Sequence, residues 1–351
     1  MALDIGPVRA GEGHRPVVIA EMSANHRGSF EAAMRIVEAA AAHGADAIKL
    51  QTYTAATLTI DSARPEFFID DRASLWHGRR LWDLYQEAHT PWDWHRPIFE
   101  SARARGLACI STAYDLTSLE FLLEIGVDAV KIASFELVHL PLLAAAARSG
   151  KPLLVSTGMA TLDEISAAVE TVRAHGCNRL MLLKCTSAYP ADEADANLLT
   201  IPDMRRRFHC EVGVSDHTLG PYAAFAATAL GAAAIEKHVT LARSEGGVDA
   251  SFSVEPHELR ELAVGTDLVW RSCGEVHYAP LPSERASRAE RPSIYVVAAV
   301  TRGERFNATN IRVIRPSAGL APARYAEVLG RVCAIDCPAG TPLSWSMIAP
   351  E

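Results

Sequence analysis

The chain has 351 residues, 49% of them hydrophobic, and its 34 Lys and Arg against 42 Asp and Glu give a formal charge of −8. That length supports a full core and more than one domain, and an acidic balance without a basic run argues against nucleic acid and anionic membranes as partners. Seven cysteines with no CxxC pair fit a reduced cytoplasmic protein, and neither a leader-type apolar segment nor a run of membrane-spanning length stands out.

Eight short apolar runs, each ending in polar or charged residues, fill the first 240 positions. They are VVIAEM (17–22), AIKLQT (47–52), LACIST (107–112), AVKIAS (129–134), PLLVST (152–157), LMLLKC (180–185), EVGVSD (211–216) and AAIEKH (233–238). Runs of this length without strict alternation suit parallel strands buried on both faces. Amphipathic or Ala-rich stretches at 29–43, 92–105, 161–175 and 220–230 separate several of them. Strand–helix alternation repeated eight times predicts a closed (β/α)₈ barrel, an α/β fold whose chemistry gathers at the C-terminal strand ends. A last helix at 255–273 closes the pattern. A polar stretch follows, and beyond it the texture changes to short strands and Gly/Pro turns. The predicted organisation is a barrel domain at 1–275, a linker at 276–292 and a small β-rich domain at 293–351. The small domain carries a weak repeat of period 37, which aligns VAAVTRGERFNATNI (297–311) with AIDCPAGTPLSWSMI (334–348) and Gly303/Ile311 with Gly340/Ile348. So few residues make a marginal core, so docking on the barrel or on a second subunit is expected.

The strand ends carry the chemistry. His217 and His238 follow the seventh and eighth strands in matched registers, and adjacent strands lie about 4.8 Å apart. Two neutral imidazoles that meet across a barrel mouth suit a divalent metal acting as a Lewis acid on a carbonyl. Lys49, Lys131 and Lys184 end the second, fourth and sixth strands. Each is costly to bury unpaired. They face either an anionic ligand, with hydroxyl donors from Thr112, Ser134, Ser156, Thr157 and Ser215, or an internal ring of Glu21, Glu136 and Glu236. Binding of an anion by at least two of the lysines is the expectation taken here. Glu21, Glu136 and Asp249 are candidates for proton transfer or for holding sugar hydroxyls, and spacing does not choose between those roles. The loops 53–79 and 186–200 overhang the strand ends as candidate lids. Trp76, Trp82, Tyr85, Trp92 and Trp94 read as loop and helix packing rather than a sugar platform. Cys333 and Cys337 read as core or turn residues, since no His–Cys cluster accompanies them.

IAEMSANHRGS (19–29), IKLQTYT (48–54), YQEAHTPWDWH (85–95), VKIASFE (130–136), VSTGMAT (155–161), LKCTSAYP (183–190), VGVSDHT (212–218) and IEKHVT (235–240) together resemble the sialic acid synthase family. Within it they are most similar to the pseudaminic acid synthase branch, on the TYT and TPWDWH segments, GGVDASFSVEP (246–256) and RPSxGL. Residues from about 290 onward, with VIRPSAGLAP (313–322), resemble the family's antifreeze-like (SAF) domain. The resemblance implies condensation of phosphoenolpyruvate with an aldose to a nine-carbon 2-keto acid and phosphate by C–O cleavage. For the branch, the sugar is 2,4-diacetamido-2,4,6-trideoxy-L-altrose. It implies phosphoenolpyruvate binding by Lys49, Thr112, Lys131, Ser134, Ser156 and Ser215, and metal ligation, with Mn²⁺ or else Mg²⁺ or Co²⁺, by His217 and His238. It implies sugar contacts or proton transfer by Glu21, Gln51, Glu136, Tyr189 and Asp249. It also implies a domain-swapped homodimer in which Arg315 reaches over the partner's sugar. Ser187 stands where N-acetylneuraminate synthases carry Asn, which leaves its phosphate contact open, and Arg291–Pro292 replaces the usual Arg–Arg before the small domain. N-acetylneuraminate or legionaminate synthesis is the alternative within the family. A pyruvate-using metal aldolase, which releases no phosphate, and a non-catalytic sugar-binding barrel are the more distant ones.

Overall fold

All eight apolar runs form strands, because Val, Ile, Leu and Ala on both sides of each run leave no face to hydrate. The computed structural model describes residues 2–350 and divides into two units, Met1–Gly274 and Glu275–Glu351. The first unit starts with a short antiparallel hairpin, β1 (Leu3–Ile5) and β2 (Val8–Ala10). Then come β3 (Val17–Glu21), β4 (Ala47–Thr52), β5 (Ala108–Ala113), β6 (Ala129–Ile132), β7 (Leu153–Ser156), β8 (Leu180–Cys185), β9 (Glu211–Asp216) and β10 (Ala234–His238). These pair in parallel, in order, and β10 returns to β3 to close the barrel.

The intervening helices begin where the sequence supplies acceptors for orphan N–H groups. Ser29 caps Phe30–Ala42 by accepting from the Ala32 amide, and Thr161 with Glu164 forms a capping box for Leu162–Ala174. Pro256 opens the closing helix Pro256–Cys273 at its first turn. Strand side chains alternate, so one set packs outward against helices (Val18, Ile48, Val130, Leu182, Ile235) and the other fills the barrel (Val17, Ile19, Ile110, Leu154, Met181). The N-terminal hairpin was not anticipated. Leu3, Ile5 and Ala10 join the interior cluster beside Ala47, Ala108, Ala129 and Ala234, so the hairpin plugs the N-terminal end of the barrel. Among the described residues no helix is long and apolar enough to cross a membrane.

In the second unit, the polar stretch after Gly274 is not wholly irregular: Arg285–Ala289 forms a helical turn. Beyond it β11 (Ser293–Val296) pairs antiparallel with β12 (Ile311–Ile314). The period of 37 is real in the backbone. Val300 and Cys337, one period apart, exchange both hydrogen bonds at 2.9 and 2.8 Å. The Gly303 amide donates to Cys333, and its counterpart Gly340 donates to Val296. Both glycines sit at positive φ, +94° and +89°, where a turn needs them. Cys333 and Cys337 lie in the core of this unit with Ile294, Phe306, Ile311, Leu343 and Ile348.

Candidate active site

Register decides which strand-end residues meet. Glu21 lies opposite Lys49, Thr112 opposite Lys131, Ser215 opposite Glu236 and His238 opposite Glu21. All seven residues are buried and belong to the inward-facing set. Their neighbours one position along point the other way. Lys237 and Asp216 therefore pair with each other at 2.7 Å between sheet and helices, as a structural ion pair away from the mouth.

The centre is a four-charge ring. The Lys131 ammonium lies 3.3 Å from both Glu236 oxygens, and Lys49 lies 3.2 Å from Glu236 Oε1 while also pairing directly with Glu21. Ser215 donates to Glu236 at 3.0 Å, and Lys49 donates to Thr112 at 3.4 Å. Moving such ions out of water costs several kcal/mol each, so a core this charged is kept only if its groups are well paired. Burial pushes the Glu236 carboxyl up, but Lys131 and Lys49 more than offset it and leave it at about 2. Burial pushes Glu21 up despite Lys49, and it lowers Lys131. Two cations balance two anions in this resting arrangement, so the lysines do pair internally, with Glu21 and Glu236. Glu136 takes no part in the ring: its Oε2 is buried without a hydrogen-bond partner, and burial raises the carboxyl to about 7. Lys184 also stays out, donating to Thr186 Oγ1 at 2.8 Å.

Beside the ring lies a hydroxyl cradle. Gly158 lies so close to Ser134 and Ser187 that a Cβ there would stand 2.5 Å or less from both hydroxyls. Ser156 Oγ is buried with no partner. Small residues thus let hydroxyls converge, with only the Cys185 sulfur against Ser187, near the lysines of the ring, which is chemistry for a phosphate or carboxylate. Ser187, whose contact the sequence left open, belongs to this cradle.

The histidine pair forms the other side. The His217 and His238 rings are 5.4 Å apart and edge to face. His217 Nδ1 lies 2.9 Å from the Thr186 carbonyl, which fixes that nitrogen as the donor and leaves Nε2 with its lone pair. Burial lowers His217, but hydrogen bonding to the neighbouring Cys185 thiol more than offsets it. His238 is held well below its usual range by burial and by His217, and its Nδ1 is buried without a hydrogen-bond partner, 3.8 Å from Asp249 Oδ2. A neutral imidazole with an orphaned nitrogen beside an imidazole with a free lone pair fits a metal ion. The described residues include no cluster of three or more His, Cys, Asp or Glu that could hold one, so such an ion would take its remaining ligands from water or substrate. Ser23 donates to Asp249, and Gln51 donates to Ser23 at 3.0 Å, linking both predicted sugar contacts into one network. Tyr189 packs on His217 with ring centroids 4.3 Å apart and on Phe252 at 5.4 Å.

The first unit therefore holds fourteen of the fifteen predicted residues, thirteen of them in the ring, the cradle and the histidine side and Glu136 outside the ring; Arg315 lies in the second unit, directly after β12. Sequence reasoning underrated Glu236, treated only as one of three partners for the lysines, and it passed over Ser23, Gly158 and Phe252. The G in VSTGMAT was the available signal for the cradle. His26, by contrast, is a packing residue, buried against Trp94 and Thr90. A cavity of about 510 Å³ at the opposite end of the barrel is lined by Glu12, Arg205, His209, Glu211 and Trp270. Its Arg205 is already paired with Glu211, and it shares no residue with the strand-end set.

Residues 36–278 match the NeuB family model, and residues 291–349 match the SAF domain. The chain belongs to the NeuB family. A pseudaminic acid synthase of Campylobacter jejuni (strain 81-176) is 38% identical over 94% of this chain and 95% of its own. An N,N'-diacetyllegionaminic acid synthase of Legionella pneumophila is 32% identical over 94% of each. The crystal structure of an N-acetylneuraminic acid synthetase from Leptospira borgpetersenii, in complex with citrate, superposes with a TM-score of 0.73 at 31% identity, covering 82% of this chain and 95% of that one.

Proposed function

We propose that this NeuB-family chain is a pseudaminic acid synthase, condensing phosphoenolpyruvate with 2,4-diacetamido-2,4,6-trideoxy-L-altrose to the nine-carbon 2-keto acid and phosphate. The observation that carries the chemistry is the Lys49–Lys131–Glu21–Glu236 ring beside the Ser134–Ser156–Ser187 cradle, a charged anion site built inside a barrel. The choice of sugar rests on the higher identity to the pseudaminic than to the legionaminic relative.

The residues then divide the work. Phosphate oxygens enter the cradle and take hydroxyl donors, of which Ser156 has no partner in the resting site and Ser187 only the Cys185 sulfur. Lys131 and Lys49 exchange part of their pairing with Glu236 for the substrate's anionic groups, which fixes phosphoenolpyruvate before reaction and is chiefly positioning and electrostatics. Asp249, Gln51 and Tyr189 orient the sugar so that its aldehyde carbon meets C3 of phosphoenolpyruvate. A divalent ion, Mn²⁺ in this reading, would be held by His217 and His238 and would supply Lewis-acid polarisation of the aldehyde. Positive charge grows at C2, water adds there, and the tetrahedral carbon loses phosphate through C–O cleavage. Glu136, poised near neutral pH with its Oε2 free of any hydrogen-bond partner, is the group assigned to the water's proton; Glu21 is held by Lys49 and by the Ser23 amide at 2.7 Å. Glu136→Gln is expected to lower kcat about 10²- to 10⁴-fold, as loss of a general base does.

Incubation with phosphoenolpyruvate, Mn²⁺ and a panel of amino sugars, with products identified by mass and phosphate measured, tests the assignment. Turnover only of N-acetylmannosamine or of the legionaminate precursor would replace the sugar. Condensation without phosphate release would replace the reaction. Chelation should abolish turnover and Mn²⁺ restore it. We further place the enzyme in the cytoplasm, in keeping with cysteines that are all unpaired, and assign it a homodimer in which Arg315 serves the partner's sugar site. Mixing Arg315→Ala with His217→Ala subunits should then restore activity in the heterodimer. No activity despite demonstrated subunit exchange would remove Arg315 from that role.

A further inference from the structure

One aromatic of the group read as loop packing stands apart from the others. Trp92 stacks on Phe121, Trp94 packs on His26 and Phe30, and Tyr85 packs on Tyr53, just past β4. Trp76 instead packs on Tyr189, with centroids 5.6 Å apart, and Tyr189 in turn packs on His217. The Trp76 and His217 rings are therefore within about 10 Å of each other. The segment that brings Trp76 there is otherwise exposed, and Trp76 is one of its few half-buried residues. Its neck is closed by hydrogen bonds between Ile69 and Arg79 and between Gly78 and Ile69, at 3.0 and 2.8 Å. The indole N–H is also used, donating at 3.1 Å to the carbonyl of Val248, directly before Asp249. With its one polar atom satisfied by backbone, the rest of the indole is an apolar face held in a fixed position.

We propose that Trp76 is a specificity-determining residue: its ring, together with Tyr189, forms an apolar wall for the end of the sugar remote from the aldehyde, selecting a 6-deoxy carbon over a hydroxymethyl group. The assignment rests on the reading of the site as a nonulosonate synthase. If the aldehyde carbon lies at the histidine pair, an open-chain sugar extends away from it, and Tyr189 and Trp76 follow one another in that direction. A methyl group against the indole face is stabilised by burial, whereas a hydroxyl there loses water without gaining a partner from the indole, whose N–H is committed to Val248. The hydrogen bond to Val248 also ties the wall to the loop of Asp249, so wall and polar contact move together.

The test compares kcat/KM for the 2,4-diacetamido-2,4,6-trideoxy sugar with kcat/KM for the same diacetamido sugar bearing a 6-hydroxyl, in wild type, Trp76→Phe and Trp76→Ala, with N-acetylmannosamine run beside them in wild type. Trp76→Ala is expected to narrow the preference for the 6-deoxy sugar by about tenfold, the range one methyl-sized contact commands in a pocket. The KM for phosphoenolpyruvate should stay within about twofold, since the contacts of Trp76 are to Tyr189 and Val248 and not to the ring or the cradle. Trp76→Phe keeps an apolar ring and should retain most of the preference. An equal fall for both sugars in Trp76→Ala would make Trp76 a support for the 248–249 loop only and would overturn the proposal, as would an unmoved ratio. A wild type active on N-acetylmannosamine and inert to the 6-deoxy sugar would instead overturn the substrate reading, and this assignment with it.

Discussion

The two ends of the barrel are built from the same eight strands and solve opposite problems. At the N-terminal end Val17, Ala47, Ala108, Ala129 and Ala234 face inward, and the β1–β2 hairpin covers them with Leu3 and Ile5. Four residues or fewer further along those strands, the inward positions become Glu21, Lys49, Lys131, Glu236 and His238, all buried. An apolar plug stabilises through the water it sheds, at about 25 cal/mol for each Å² buried. A buried charge ring gains little net stability, and hydrophobic replacements of such rings are often neutral or stabilising. The C-terminal end is thus the part of the core whose composition stability does not explain, and for that reason it is the part that function explains.

The largest expected effect comes from the hub of the ring. Glu236→Gln leaves Lys131 with no carboxylate within salt-bridge distance and Lys49 with Glu21 alone. Breaking a buried pair from one side costs about 3–5 kcal/mol. Denaturant unfolding should show that loss, and phosphate release should fall with it. A variant as stable as wild type would mean that the ring does not persist in solution.

The opposite end supplies the contrast. Met181 is fully buried in the interior cluster beside Leu154 and Leu183. Met181→Ala should cost about 2–5 kcal/mol through lost contacts and the cavity left behind. Its kinetic constants should nonetheless stay near wild type in conditions where the protein is folded. A large change in the KM for phosphoenolpyruvate would show that the two ends are not independent.

Lys131→Met tests the same division with a smaller effect. The side chain keeps much of its length, loses its charge and leaves Glu236 paired with Lys49. A lost charge-assisted contact is worth about 1.5–3 kcal/mol, or roughly a tenfold to more than a hundredfold rise in the KM for phosphoenolpyruvate. Stability should change less than in Glu236→Gln. An unchanged KM would confine Lys131 to internal pairing.

The barrel and most of its C-terminal constellation were legible because buried parallel strands have one requirement, apolar residues throughout. Any polar residue at their ends then stands out. Pairing was not legible. Lys49 and Lys131 had three carboxylates within reach by sequence, and only the closed barrel, whose interior β10 faces across to β4 and β6, shows that Glu236 serves both while Glu136 serves neither. The hairpin escaped because three-residue strands are too short to show a period. Gly158 escaped because a cradle is defined by what is missing from a position, which a single sequence cannot display. The contacts of Trp76 were not legible because its neighbours in sequence are exposed, and its partners, Tyr189 and Val248, lie more than a hundred residues away.

An effect that is absent at acid pH and appears only as pH rises separates two carboxylates at the same end of the barrel. Glu236 sits at about 2 because two lysines outweigh its burial; Glu136 sits at about 7 because burial outweighs a distant Lys131. By linkage the two contribute with opposite sign. The depressed Glu236 contributes stability that is present above the usual carboxylate range and lost as pH falls through about 2. The raised Glu136 contributes stability that is fully present below its unfolded value of 4.5 and is lost as pH rises through about 7. Glutamine is close to isosteric and cannot ionise, so Glu136→Gln should match wild type near pH 4 and become the more stable protein above pH 7, with the difference growing between those limits. Urea midpoints measured from pH 4 to pH 8 read this directly. A difference that stays constant with pH would mean that Glu136 ionises as freely as an exposed glutamate, and the rim of the site would then offer no base poised near neutrality.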